Sequence, residues 1–259
     1  MEKKMVFDSD IENYEKWRPK YCEELFDDII QYSNINSGKV AIEIGSGTGQ
    51  ATDGILRSGC KFISVEAGTN FAQYLKQKYA DNHNFSVRNE EFEEAQFESN
   101  SIDLVYAATA FHWISKEVSY RKVYSLLKPG GTIALFWNRP FVNMDNDPLH
   151  QKLQKIYDFY RPEEVGKPKL DIEHDEKRYK EISSYIQKQG FRNFKYNIYK
   201  RVRVFEADSY ISLLNTYSDH KLLPIYMKRR FENDIRKAIL DAGNVLRVYD
   251  TMDLYLAMK

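Results

Sequence analysis

The sequence predicts an α/β protein: a seven-stranded, mostly parallel sheet with helices on both faces and a mostly helical C-terminal cap. Three observations predict it. Short apolar runs alternate with amphipathic stretches through the first half, the order that βαβ units produce. The run Ala41-Ile42-Glu43-Ile44 ends directly in the glycine-rich turn Gly45-Ser46-Gly47-Thr48-Gly49, as a buried strand does when it passes into a helix. Ile102-Asp103-Leu104-Val105-Tyr106-Ala107 is almost continuously apolar, as a central strand covered on both faces must be.

Taken in order, residues 20 to 32 read as a helix that leads into a first strand at Val40 to Ile44. A helix from about Gln50 to Ser58 stops at Gly59, a residue that accepts the left-handed conformation closing many helices. Phe62 to Val65 is the second strand, residues 70 to 79 a helix, Phe85 to Val87 a short third strand and 102 to 107 the fourth. A helix over 115 to 127 runs into Pro129-Gly130-Gly131, a turn signal, and Thr132 to Trp137 is the fifth strand. Beyond Pro140 the rhythm changes. Residues 147 to 160 read as a helix, 161 to 175 as a charged surface loop, and 176 to 189 as a helix returning to the sheet. Phe194 to Phe205 alternates polar and apolar residues, as an antiparallel or edge strand does. Helices near 207 to 217 and 224 to 242 precede a last strand at 245 to 257.

Composition narrows the function classes. The 259 residues carry 38 Lys and Arg against 38 Asp and Glu, so there is no global electrostatic reason to expect nucleic acid or an anionic membrane. No apolar run approaches the ~18 residues of a membrane span, and Met1-Glu2-Lys3-Lys4-Met5 lacks the apolar core of a signal peptide. Cys22 and Cys60 show no metal-type spacing, which argues against zinc sites and disulfide scaffolds. A cytoplasmic protein, monomeric or homodimeric, is the expectation.

The glycine turn carries the chemistry. Glycine lets bare backbone approach a ligand, and a helix behind the turn offers free N–H groups and a positive dipole end. A nucleotide-like cofactor follows. A dinucleotide fingerprint is G-x-G-x-x-G, whereas Gln50 stands where its third glycine belongs and Gly49 comes one residue early. Glu43 precedes the turn where a buried strand would place an apolar side chain. Phe62-Ile63-Ser64-Val65-Glu66 brings a second acid about 20 residues downstream, the spacing at which a carboxylate meets a ribose diol. That carboxylate disfavours a 2′-phosphate, so NADP does not suit and NAD is weakened. An adenosine-containing ligand with an additional cationic group near Glu43 fits better.

E-x-G-x-G-x-G at residues 43 to 49 followed by Glu66 resembles the class I S-adenosylmethionine (SAM) dependent methyltransferases, whose domain is Rossmann-like. Asn89-Glu90-Glu91-Phe92-Glu93, Phe111-His112-Trp113-Ile114 and Leu127-Lys128-Pro129-Gly130-Gly131 are similar to further landmarks of that family. Phe-His-Trp-Ile, together with Tyr14, Trp17-Arg18-Pro19 and Tyr21, resembles the small-molecule, trans-aconitate methyltransferase-like branch. The resemblance covers roughly residues 10 to 140 and the rest in outline. It implies an N-terminal helical lid over 1–34, a SAM-binding core over 35–140, and over 141–259 the remaining strands with a helical substrate cap.

The resemblance also implies roles. Gly45, Gly47 and Gly49 admit the methionine portion and ribose. Glu43 accepts from the cationic amino group, or caps nearby backbone N–H groups. Glu66 holds the ribose hydroxyls. Glu91 and Phe92 flank the adenine, Glu90 being the alternative acid, or the cluster is a solvated acidic face. Ala108, among the small residues after the fourth strand, leaves room for the methyl at the carboxyl edge of the sheet. Tyr14 and Arg18 lie on a segment that relatives fold over the cofactor, where Arg18 could reach the methionine carboxylate; a surface helix packing an aromatic stripe is the other reading. His112 has two readings: a general base on a hydroxyl or amine acceptor, or a ring that packs and hydrogen-bonds locally. Arg139, Arg201 and Arg203 are candidates for an anionic acceptor, with the outer face of an edge strand as the alternative for the latter two.

The implied reaction is methyl transfer from SAM to an O, N or C nucleophile of a small molecule. Three other readings stand beside it. A nucleic-acid methyltransferase commonly carries Asn/Asp-Pro-Pro-aromatic after the fourth strand, where this chain has Ala108-Thr109-Ala110-Phe111. For an NAD-type oxidoreductase this chain lacks the Tyr-x-x-x-Lys after a suitable strand, the string at Tyr74 to Lys78 falling on the helix after the second strand. A SAM-binding protein without catalysis is the third.

Overall fold

The computed structural model describes residues 10–162, 165, 172–221 and 223–259. The N-terminal pentapeptide and much of the expected loop over 161 to 175 lie outside the described residues. Seven strands form one sheet: β1 (Val40–Ile44), β2 (Lys61–Val65), β3 (Phe85–Arg88), β4 (Ile102–Ala108), β5 (Leu127–Phe141), β6 (Arg192–Phe205) and β7 (Leu246–Met258). Their order is β3-β2-β1-β4-β5-β7-β6. The pairs among β1 to β5 are parallel. The start of β5 bonds the end of β7, through Gly130 N–H to the Lys259 carbonyl and Lys259 N–H to the Gly131 carbonyl, so β7 runs antiparallel and the sheet is mixed.

The helices are α1 (Ile11–Trp17), α2 (Glu23–Ser33), α3 (Thr52–Leu56), α4 (Thr69–Lys78), α5 (Lys116–Leu126), α6 (Pro148–Tyr160), α7 (Glu176–Lys188), α8 (Ala207–Leu214), α9 (Ser218–Lys221) and α10 (Ile225–Asp241). Their ends follow local chemistry. At α6 the Asp147 side chain accepts from the Leu149 and His150 N–H groups, and Pro148 stands where a missing N–H costs nothing. α2 carries Glu23 and Glu24 in its first turn and closes on Asn34 in the left-handed conformation. Among the described residues no helix is long and apolar enough to cross a membrane.

Two compact units divide the chain. The sheet unit holds Pro19–Asn138, Asp175–Tyr199 and Met252–Lys259; the helical unit holds Met1–Arg18, Arg139–His174 and Lys200–Thr251. In the sheet unit, successive strand residues point to opposite faces, and two buried clusters divide accordingly. Ala41, Leu104, Tyr106 and Phe136 pack with Leu25, Phe26 and Ile29 of α2 and Ile55 of α3. Ile42, Val105, Leu135 and Tyr255 pack with Tyr120 and Val123 of α5 and Ile182 and Ile186 of α7. Helices thus cover both faces.

In the helical unit, Leu153 of α6, Leu213 and Leu214 of α8 and Phe231, Ile235 and Ile239 of α10 share one core. α1 joins it through Asn13 Nδ2, which donates to the Ser212 carbonyl at 3.0 Å, and through Trp17, whose ring lies 6.4 Å from that of Phe205. Here the end of β6 departs from expectation. Val202 and Val204 are the exposed side chains, at 51% and 63%, while Arg201 and Arg203 both turn onto buried Asp250. A buried carboxylate demands cationic partners more strongly than two valines demand cover.

Candidate functional site

The predicted cradle assembles at the carboxyl ends of β1, β2 and β4, all within the sheet unit. Strand β1 delivers Glu43, 1% exposed, and then turns. Gly45 sits at φ 68°, and a Cβ there would lie 2.7 Å from that of Ala110. Gly49, at φ 94°, would bring a Cβ to 2.9 Å from the Tyr79 hydroxyl. Only glycine satisfies both the conformation and the space. The Ser46 hydroxyl meets that of Ser64 at 2.7 Å and ties the turn to β2.

Glu43 has two unlike oxygens. Oε2 accepts from the Thr52 hydroxyl at 2.5 Å; Oε1 is buried with no hydrogen-bond partner among the described residues. Burial pushes its pKa up to about 7, against the nearby hydroxyls of Thr52, Ser46 and Tyr106, which favour the anion. A cationic group delivered to Oε1 would complete this site.

Glu66 stands at the end of β2, 7% exposed. Its Oε2 accepts from Gly47 N–H and its Oε1 from Gly68 N–H, each at 2.8 Å. The acid predicted to hold a ribose also clamps the glycine turn, and a carboxylate offers about four acceptor sites. The helix expected behind the turn is α3, only five residues long, too short to supply the dipole end expected of it. The cradle rests instead on the turn backbone and two buried acids.

Of the expected adenine pair, the Phe92 side chain is buried in the core, with the Lys122 ammonium 5.1 Å from its ring centre. Its ring is therefore part of the core and does not face a ligand. Glu91 opens a turn, its carbonyl accepting from Glu94 and Ala95 N–H. Glu90 is engaged by Arg88 Nε at 2.5 Å.

At the end of β4, Ala108 precedes Thr109, which lies at φ 53°. A β-branched residue in that region is strained by roughly 1–3 kcal/mol. Three bonds hold it there: its N–H to the Phe136 carbonyl at 2.8 Å, its hydroxyl to that of Tyr21 at 2.7 Å, and Asn138 N–H to its Oγ1 at 3.3 Å. No local sequence signal announces this conformation. His112 follows in a 3-10 turn, Phe111–Trp113, and Trp137 Nε1–H donates to its Nδ1 at 3.1 Å.

Tyr14 and Arg18 belong to the helical unit. There the Arg18 guanidinium lies 5.1 Å from the Tyr14 ring centre and 4.8 Å from that of Tyr217. Arg139 stacks on Phe141 at 5.4 Å.

Residues 42–135 match the methyltransferase domain family, the stretch that contains the cradle. A Schizosaccharomyces pombe protein described as an uncharacterized methyltransferase is 26% identical over 235 residues, 90% of this chain and 87% of that one. A solved structure from Anaeromyxobacter dehalogenans, described as a type II methyltransferase, superposes with a TM-score of 0.62 at 18% identity, over 93% of this chain and 97% of that one. Phosphoethanolamine N-methyltransferase 2 of Haemonchus contortus, solved with phosphomonomethylethanolamine and S-adenosylhomocysteine, gives 0.56 at 15% identity, over 97% of this chain and 57% of that one. With a methyltransferase domain matched over residues 42–135 and methyltransferase relatives along most of its length, the chain is an S-adenosylmethionine-dependent methyltransferase.

Proposed function

We propose that the protein methylates a small molecule, and that the residues around the glycine turn hold the cofactor for that reaction. The observation that carries the reading is Glu43 Oε1, buried beside the turn with no hydrogen-bond partner among the described residues, since an orphaned carboxylate oxygen is costly unless a ligand completes it. SAM, when bound, supplies an electrophilic methyl on a sulfonium. Glu43 accepts from the amino group of the methionine portion, Glu66 from the ribose hydroxyls, and the backbone at Glu91 and Phe92 lines the adenine. Ala108 leaves space where the methyl is handed over. His112, beyond it, faces the acceptor. Holding acceptor, methyl and sulfur in line contributes ~7–11 kcal/mol of such a reaction, so the protein's task is orientation.

A small acceptor is supported by the balanced charge, which lacks the basic footprint of a nucleic-acid enzyme. Asn138-Arg139-Pro140-Phe141, superficially like a base-methylating motif, lies inside β5 with Arg139 and Phe141 buried. Two free thiols, Cys22 and Cys60, suit the reducing cytoplasm.

Thermal unfolding with S-adenosylhomocysteine, SAM and NADH in separate wells tests the cofactor site. A ligand at ~100 times its Kd adds about 2.7 kcal/mol, several degrees for a chain of this size. A shift with NADH alone would overturn the reading. In Glu66→Ala, S-adenosylhomocysteine binding is expected to weaken by about 1–3 kcal/mol, the loss of hydrogen bonds to a charged group; titration calorimetry showing unchanged affinity would remove Glu66 from the site. Screening small acceptors by release of S-adenosylhomocysteine then identifies the substrate.

A further inference from the structure

The polarity of one hydrogen bond decides what His112 can do. An indole N–H only donates, so the bond from Trp137 Nε1 to His112 Nδ1 requires a bare Nδ1. A neutral imidazole then carries its single proton on Nε2. A general-base histidine has the opposite wiring: its rear nitrogen is an N–H that donates to a carboxylate or carbonyl, leaving the forward nitrogen bare. Here the rear partner is itself a donor.

The indole is not at liberty to turn away. Trp137 is 5% exposed, with the Arg178 guanidinium 5.1 Å from its ring centre and Tyr255 edge-on at 5.9 Å. Arg178 in turn lies 3.5 Å from Oδ2 of Asp253, a carboxylate with a fully buried side chain. The Tyr255 hydroxyl donates to the same oxygen at 3.0 Å. Trp137 is thus wedged between a cation anchored on Asp253 and a tyrosine anchored on Asp253.

We infer that Trp137 is a positioning residue that holds His112 as an Nε2–H hydrogen-bond donor at the carboxyl edge of the sheet. The ring steadies the acceptor group and takes no proton from it. The inference rests on the reading of that edge as the place of methyl transfer. It also narrows the acceptor chemistry to nucleophiles that need no histidine to deprotonate them.

The test is a long-range proton–nitrogen NMR correlation of the imidazole rings in the full chain with S-adenosylhomocysteine, His112 being assigned by its absence in His112→Gln. In the wild type Nδ1 is expected to be bare and Nε2 protonated. In Trp137→Phe, which keeps a ring and removes the N–H, both nitrogens are expected to move toward the average of two exchanging tautomers, with S-adenosylhomocysteine affinity within about threefold of the wild type. A proton on Nδ1 in the wild type, or ring nitrogens unmoved by Trp137→Phe, would overturn the inference. Should Trp137→Phe not fold, the Trp137 indole proton serves instead: protected from solvent exchange in the wild type and less so in His112→Ala, with equal protection as the contrary result. Failure of S-adenosylhomocysteine to shift the unfolding temperature is a separate outcome, which sinks the cofactor reading and leaves the tautomer measurement standing.

Discussion

Glu43→Gln is expected to make the ligand-free protein more stable than the wild type above pH 7, and to abolish most of its affinity for S-adenosylhomocysteine. The sign follows from the buried acid. Its folded pKa of about 7 lies above the ordinary 4.5, so the folded state binds the extra proton. Stability from this group is complete below pH 4.5 and is lost as pH rises through 7. Two and a half units correspond to about 3 kcal/mol, and a fully buried side chain receives no discount for screening. Buried His220 acts in the opposite direction, its pKa lowered by burial to about 4, so the difference between the two proteins is the quantity to follow. Urea unfolding at pH 5 and pH 8 measures it: the gap should favour Gln at pH 8 and shrink at pH 5. A gap independent of pH would mean that Glu43 ionises as an ordinary surface carboxylate. Binding works in reverse. A ligand ammonium favours the charged acid, and its loss costs about 1.5–3 kcal/mol, tenfold or more in Kd.

Asp250→Ala is expected to destabilise the protein by about 2–4 kcal/mol, with little effect on S-adenosylhomocysteine affinity. Asp250 is 1% exposed; Arg203 Nε lies 2.5 Å and Arg201 Nη2 3.1 Å from its Oδ2. Removing the anion leaves two cations facing a buried space, and breaking such a pair costs roughly 3–5 kcal/mol. The lower end applies because Arg201 keeps 28% of its side chain in solvent. The midpoint of a denaturant titration should fall at constant slope. An unchanged midpoint would show that the arginines find water as readily as they find Asp250.

Much of the fold was legible in the sequence. Residues 147 to 160 and 176 to 189 were readable as helices because Asp147 and Asp175 cap them and their apolar stripes are periodic. What escaped was decided by distant partners. Pro129-Gly130-Gly131 reads locally as a turn, yet β5 begins at Leu127 and runs through it, because Lys259, at the far end of the chain, pairs with both glycines. The alternation along β6 was visible, but which face is covered depends on Asp250, 47 residues beyond Arg203. In the candidate site, Glu43, the glycines and Glu66 were findable because they share one strand, one turn and the next strand end. The bond between Trp137 and His112 joins the interior of β5 to the turn after β4, 25 residues apart, and no periodicity encodes it. The same holds for Thr109, whose left-handed backbone depends on Tyr21, Phe136 and Asn138 together.

The interleaving of the two units bears on how such a protein can be built or taken apart. The chain passes from one unit to the other after residues 18, 138, 174, 199 and 251, so neither is a contiguous stretch of gene. Cutting after residue 140, where the rhythm of the sequence changes, would strip the sheet unit of Leu254, Tyr255 and Leu256, each at most 1% exposed, and of the α7 residues packed beside Tyr255. Recombination therefore cannot lift out the cofactor-binding half as a ready-made module. The segments between 139 and 174 and between 200 and 251 belong to the helical unit, so changing their lengths leaves the sheet unit's own stretches of chain intact.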